Sequence, residues 1–307
     1  MRGKQYEATL MRRSTQLLNR EKWLEEIASW EIQAAQGITD LDFTEKEINE
    51  IYAPIIQKLL SGHKRSLKAR TGTLQPLLIG ITGSVSVGKS TISNIIKKLV
   101  TSPPINLSAQ VISTDNFLFP NSQLQKNQIL HRKGFPESFD HAAIIKFLSG
   151  ITEGKPNSII PIYSHESYDI EGTSRSEITD LIIIEGVNIL QNPIEKDDRD
   201  PSIREFLDFS IFIDADESEI TKWYENRFLR YCTLAENNTK SFFSQFKSLN
   251  MEERKELASE IWKSVNKPNL DNYIYPSKKY ADLIITKGHG HLVSSLQVPL
   301  SWLSSLK

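Results

Sequence analysis

From residue 77 onward the chain alternates short runs of apolar, β-branched residues with stretches in which apolar residues return every three or four positions. The runs are 77–82, 110–114, 181–184, 209–213 and 283–286. Each is apolar on both faces, which is the pattern of parallel strands covered by helices on either side. The helical stretches are 89–100, 141–148, 217–231 and 251–265. Strands alternating with helices predict a three-layer α/β fold with a mostly parallel sheet and helices on both faces. Before residue 77 the pattern reads as helical over 14–67, where Leu17, Leu18, Trp23, Leu24 and Ile27 recur at helix-like spacing. A second helix is predicted from Thr44, with Glu47 at capping-box spacing, through Ile48, Ile51, Tyr52 and Ile55. Pro54 is expected to kink or split it. The stretch 61–73 is basic, carries Gly62 and Gly72, and reads as a solvated connector. The expected organisation is one domain over 1–307, with a helical N-terminal extension (1–76) and an α/β core (77–307). Within the core, 116–180 is too long for a simple crossover and has the length of a functional insertion.

Composition adds limits rather than detail. Of 307 residues, 39% are hydrophobic and 24% charged, enough apolar content for a sizeable core. The formal net charge of -1 provides no global basic field, so neither nucleic acid nor a membrane surface is an expected partner. The single cysteine, Cys232, rules out a disulfide framework within the chain and suits a reducing cytoplasm, the expected location. The basic start MRGKQYEATLMRR is not followed by a long apolar stretch and does not read as a secretory signal. The longest apolar runs are far too short to span a bilayer.

The most specific local pattern is Gly83-Ser84-Val85-Ser86-Val87-Gly88-Lys89-Ser90-Thr91. It fits G-x-x-x-x-G-K-[ST] and lies between an apolar run and an amphipathic helix, the context that motif requires. Gly83 and Gly88 let the backbone wrap closely around phosphates with N–H groups turned inward, and the helix N-terminus favours anions. Lys89 is placed to reach the β- and γ-phosphates of ATP, and the Ser90 hydroxyl to bind Mg²⁺. By itself the pattern identifies a nucleotide site.

Acidic residues close two of the predicted strands. Asp115 follows 110–114, where a carboxylate can accept a proton from an attacking hydroxyl or help to hold Mg²⁺; a turn cap is the alternative. Glu185 ends a fully apolar run, as a Walker B carboxylate near the metal does; a cap is again the alternative, and the phosphate motif favours the metal. Asp214 and Asp216 read as loop and N-cap residues of the next helix. On that helix Arg227 shares a face with Trp223 and Tyr224, and such a guanidinium needs either a phosphate or a structural carboxylate. The residues alone favour the carboxylate slightly. The insertion contains KGFPES (133–138) and YSHESYD (163–169); the second is dense in hydroxyls, imidazole and carboxylate suited to a small polar acceptor, with a polar surface loop as the alternative. His289 and His291 are a weak metal signal, and a non-metal role is favoured.

The strings GSVSVGKST, STDNFLFP, KGFPESFD, PIYSHESYD, IIEGVNIL and WYENRFL, in this order, resemble type I pantothenate kinases. These belong with uridine kinase and phosphoribulokinase among the P-loop kinases. The resemblance covers nearly the whole chain, including EIYAPIIQKLL near its start. It implies phosphorylation of pantothenate to 4′-phosphopantothenate, the first step of coenzyme A biosynthesis, with Mg²⁺ and in a homodimer. It also implies Asp115 as catalytic base, Lys89 and Ser90 serving phosphate and metal, and Glu185 near the metal. Arg227 would contact phosphate, which reverses the preference above. Tyr163, His165, Tyr224 and Asn266, with Lys133, would line the acceptor pocket, and His291 would lie near the adenine. Two positions depart from the family: Asn116 stands where it has glycine, and Asn94 where it has an arginine associated with feedback inhibition by coenzyme A. Weak inhibition by coenzyme A is expected on that ground. The rival readings are a kinase for a uridine-like nucleoside and a nucleotide- or coenzyme A-binding regulator without catalysis.

Overall fold

The computed structural model describes residues 14–34, 44–70, 75–155, 158–177, 179–191 and 201–303, without the side chains of 64–70. The basic start of the chain lies outside them. The described chain begins with β1 (Thr15–Asn19) and α1 (Arg20–Ile27). A short helical lead, Glu45–Glu47, and a π-helical turn, Ile48–Tyr52, then run into α2 (Ala53–Arg70). The core follows as β2 (Leu77–Gly83), α3 (Lys89–Thr101), β3 (Ala109–Ser113), α4 (Asn121–Lys126) and α5 (His141–Thr152). Next come the hairpin β4 (Ile159–Ser164) and β5 (Asp169–Arg175), then β6 (Leu181–Glu185) and β7 (Phe209–Ala215). The chain closes with α6 (Glu217–Leu234), α7 (Met251–Ile261), β8 (Leu283–Lys287) and β9 (Val293–Pro299).

Among the described residues the main sheet has the order β1-β9-β8-β7-β2-β6-β3. From β8 to β3 neighbouring strands are parallel, while β9 runs against both β8 and β1. Every residue of β2, β6 and β7 is buried, as continuous apolar runs under helices on both faces require. Since β2 has β6 on one side and β7 on the other, the connections leave it in opposite directions. That switch point opens a crevice at the carboxyl ends of the strands, where ligands of such sheets bind.

The N-terminal part differs from the helical expectation. Leu17 and Leu18 belong to a strand, in which Leu18 is buried and Leu17 is 66% exposed. The 61–73 stretch is no connector through residue 70, because α2 continues to Arg70. Before Pro54 the helix widens to the π-turn Ile48–Tyr52 instead of breaking. Proline has no N–H to offer the Glu50 carbonyl one turn back, and Trp23 Nε1 donates to that oxygen at 2.8 Å. The capping box forms by half. Thr44 accepts from Glu47 N at 3.1 Å, but the buried Glu47 carboxylate accepts from Val293 N at 2.9 Å and pairs with Arg20 at 2.7 Å. Burying that carboxylate demands such partners, and they outweigh a return bond to Thr44.

Candidate active site

The phosphate motif spans the turn from β2 into α3, with Gly83 as the last strand residue. Ser86 has φ of 62° and Gly88 φ of 89°, left-handed conformations that fold the loop back on itself. A Cβ on Gly88 would stand 3.0 Å from Lys287 Nζ, so both its conformation and its crowding favour glycine. Lys89 Nζ donates to Ser84 O at 2.7 Å, and Ser90 Oγ donates to Glu185 Oε1 at 3.0 Å. The hydroxyls of Ser84 and Ser86 are buried without a hydrogen-bond partner among the described residues. Buried donors of this kind call for an acceptor.

Asp115 and Glu185 converge on this loop. Ser113 of β3 pairs in register with Glu185 of β6, so both strands end side by side. Asp115 lies in the 3₁₀ turn Thr114–Phe117 that follows. The approach is close: a Cβ on Gly186 would lie 1.8 Å from Thr114 Oγ1. Burial pushes the Asp115 carboxyl above the usual carboxylate range, while Lys89, Arg227 and Lys133 pull it back. Burial also raises Glu185, against Lys89 and hydrogen bonds from Ser90 and Ser113. The same burial lowers Lys89, and the two carboxylates oppose that. A half-buried lysine beside half-buried Asp115 and buried Glu185 is a balanced charge cluster of the sort that accumulates at functional sites.

Two cavities meet here. One, of about 750 Å³, is lined by Lys89, Ser90, Trp223, Arg230, Lys287 and His291. The other, of about 360 Å³, is lined by Lys133, His165, Tyr224, Arg227 and Asn266, with an aromatic wall that includes Phe242 and Phe243. His165, Arg227 and Tyr231 line both. Arg227 makes no ion pair among the described residues. Its guanidinium lies over the Tyr231 ring at 5.3 Å, so the structural carboxylate partner is absent there. His291, at φ 62°, stacks on Trp223 with ring centroids 3.8 Å apart. His289 is exposed, 3.8 Å from Glu219, and the described residues hold no group of three or more metal-ligating His, Cys, Asp or Glu side chains.

Residues of the insertion line the smaller cavity. Lys133 Nζ donates to Asn121 Oδ1 at 2.6 Å and to Tyr168 O, and lies over the rings of Tyr163 and Tyr168. Burial pushes its ammonium down to about 8, against the pull of Asp169 and Asp115. His165 is lowered by burial and by Arg227. Tyr224 is raised by burial, partly offset by a hydrogen bond with Asn266. Tyr163 stands behind the cavity wall rather than in it, packed edge-on to His165 at 5.2 Å and raised by burial. Its N–H donates to Asn116 Oδ1 at 3.0 Å, at a bulge between Ile162 and Tyr163. Asn116, the departure from glycine, therefore ties the Asp115 turn to the β4–β5 hairpin. The other departure, Asn94, is exposed on α3, as are Lys97 and Lys98.

Sequence reasoning missed Lys287, Asn226 and the Phe242–Phe246 wall. Lys287 closes a buried strand just as Glu185 does, so the rule that singled out Glu185 would have found it. The phenylalanines gave no signal, since their string reads as ordinary core.

Comparisons with known proteins agree with this geometry. Residues 78–225 match the model of the phosphoribulokinase / uridine kinase family. A pantothenate kinase of Bacillus subtilis is 40% identical over 303 residues, covering 91% of this chain and 94% of that protein. One from Rhizobium rhizogenes is 39% identical over 272 residues, covering 84% and 81%. The solved YGR205w protein superposes with a TM-score of 0.52 at 16% identity, over 80% of this chain and 98% of that one, a likeness of fold. With a phosphate loop, two converging acids and relatives of this similarity along most of its length, the chain belongs to the pantothenate kinase family.

Proposed function

We propose that the chain transfers the γ-phosphoryl group of ATP to the 4′-hydroxyl of pantothenate. The observation that carries this reading is the meeting of the two cavities at His165 and Arg227, with half-buried Asp115 within the field of Lys89, Arg227 and Lys133. The nucleotide occupies the larger cavity, with its phosphates on the loop 83–91 and its base toward His291. The acceptor occupies the smaller one, bounded by Lys133, His165, Tyr224 and Asn266. Asp115 accepts the hydroxyl proton, and a carboxyl raised by burial is better matched to that task than an ordinary one. Lys89 and Arg227 stabilise the charge that develops on the transferring oxygens. Ser90 and Glu185 form a pair of hard oxygen donors suited to Mg²⁺, whose remaining ligands are normally phosphate oxygens and water. When bound there, the ion neutralises phosphate charge.

Coenzyme A inhibition, on this reading, depends less on Asn94 than on Arg230, because only Arg230 lines the nucleotide cavity. A homodimer is expected from the family and is checked by light scattering. The deciding experiment for the function is ADP release with pantothenate, with uridine and without acceptor. Stimulation by pantothenate alone supports the reading. Stimulation by uridine alone assigns the chain to the rival nucleoside kinases.

A further inference from the structure

Lys287 ends β8, pairs in register with Ala215 of β7, and is only 2% exposed. A bulge between Thr286 and Lys287 interrupts its pairing with β9, and bulges re-aim the side chains beside them. The side chain runs beneath the phosphate loop, where Nζ donates to Val87 O at 2.9 Å. It also lines the nucleotide cavity, and Gly88 leaves it room, since a Cβ there would stand 3.0 Å from Nζ.

The contact bears on the direction of one donor. Among the described residues the cis peptide is Pro103-Pro104, so the Val87–Gly88 peptide is trans. In a planar trans peptide the C=O and the N–H point in opposite directions. Holding Val87 O down toward β8 therefore turns the Gly88 N–H up, into the loop that receives the phosphates. We propose that Lys287 is a positioning residue for nucleotide phosphates, fixing the Val87–Gly88 peptide so that the Gly88 N–H faces the phosphate group. Lys89 and Lys287 divide the work. Lys89 donates to Ser84 O at the start of the loop and is free to exchange that carbonyl for a phosphate, whereas Lys287 holds the end of the loop from below. The same lysine leads directly into residues 288–291, so one hydrogen bond joins the phosphate-binding and base-binding sides of the cavity.

This inference rests on nucleotide binding by the loop and is independent of which acceptor is used. The test is calorimetric binding of ADP and of adenosine to wild type and to Lys287→Met, with thermal unfolding of both proteins. ADP affinity is expected to fall about 10-fold, the cost of a misdirected donor to a charged group, with adenosine affinity unchanged. The KM for ATP should rise while the KM for the acceptor stays constant. Equal losses for ADP and adenosine, or no loss for either, overturn the proposal and leave Lys287 as a core residue. If Lys287→Met does not fold, Lys287→Gln replaces it, keeping a donor and losing the charge. There the ratio of ADP to adenosine affinity is expected to drop about 3-fold, and an unchanged ratio overturns the proposal. Wild type that binds ADP but ignores pantothenate would sink the assigned acceptor and leave this inference standing.

Discussion

The phosphate loop is nine consecutive residues, 83–91, held by the ends of buried strands. The smaller cavity, proposed for the acceptor, instead draws its wall from residues 130–133, 165–168, 224–231, 242–246 and 261–266, which meet only in the folded chain. Side chains at the loop are held by short hydrogen bonds to backbone and carboxylate. Those of the acceptor wall are held largely by ring packing, with Tyr168 stacked on Phe242 at 4.7 Å and Phe228 edge-on to Phe243. The difference separates two tasks. Phosphate is the same in every nucleotide and suits a rigid contiguous cradle. Acceptor choice needs shape, and shape comes from distant segments brought together by folding.

Breaking the cradle should have the largest effect. Lys89→Met is expected to leave a folded protein, judged by circular dichroism, with no measurable ADP release, because it removes a charge aimed at the phosphates. Near-normal turnover would refute the role of the loop. Next in size, Asp115→Asn should lower kcat by about 10²–10⁴ while ATP binding persists, as checked by kinetics alongside calorimetry. An intact kcat would reduce Asp115 to a turn residue. Burial raises the Asp115 carboxyl, so the acid limb of the wild-type pH profile should lie above that of an ordinary carboxylate. Activity then fails as pH falls through that value, and the limb should vanish in Asp115→Asn.

On the other side of the comparison, effects should be smaller and confined to the acceptor. His165→Ala is expected to raise the KM for pantothenate about 10-fold, the worth of one polar contact to the acceptor, with little change in the KM for ATP. A matching rise for ATP would place His165 with the nucleotide instead. Lys133, held down to about 8, is charged below that pH and neutral above it. The kcat/KM for pantothenate should therefore decline above about pH 8, and Lys133→Met should flatten that limb. Smallest of all, Asn94→Arg should leave coenzyme A inhibition nearly unchanged in a titration at sub-saturating ATP, whereas Arg230→Gln should weaken it. A clear gain in Asn94→Arg would restore α3 as the place where the inhibitor is read.

The same contrast decides what could be read along the chain. The five parallel strands and the loop were legible because each is local: a run of buried residues, or a motif at fixed spacing. The antiparallel strands carry no such run. In β9, Val293, Leu296 and Val298 are buried while Ser294 is exposed, and β5 is mostly exposed, so neither announces itself. β1 misled for the opposite reason, since Leu17 and Leu18 sit at a spacing that a helix would also use. Of the site, Lys89, Ser90, Asp115 and Glu185 could be placed from strand ends. Arg227 could not, because its alternatives differ only in what stands opposite, and the absence of an ion pair is a tertiary fact.

Thr15 of β1 pairs with Pro299 of β9, and Arg20 donates to Val293 O across 273 positions of sequence. Among the described residues the first strand therefore waits for the last. While the protein is being made, β1 has no sheet partner among the described strands until β9 has left the ribosome. Protease sensitivity of the N-terminal segment should persist in chains stalled before residue 293 and disappear once residue 299 is free.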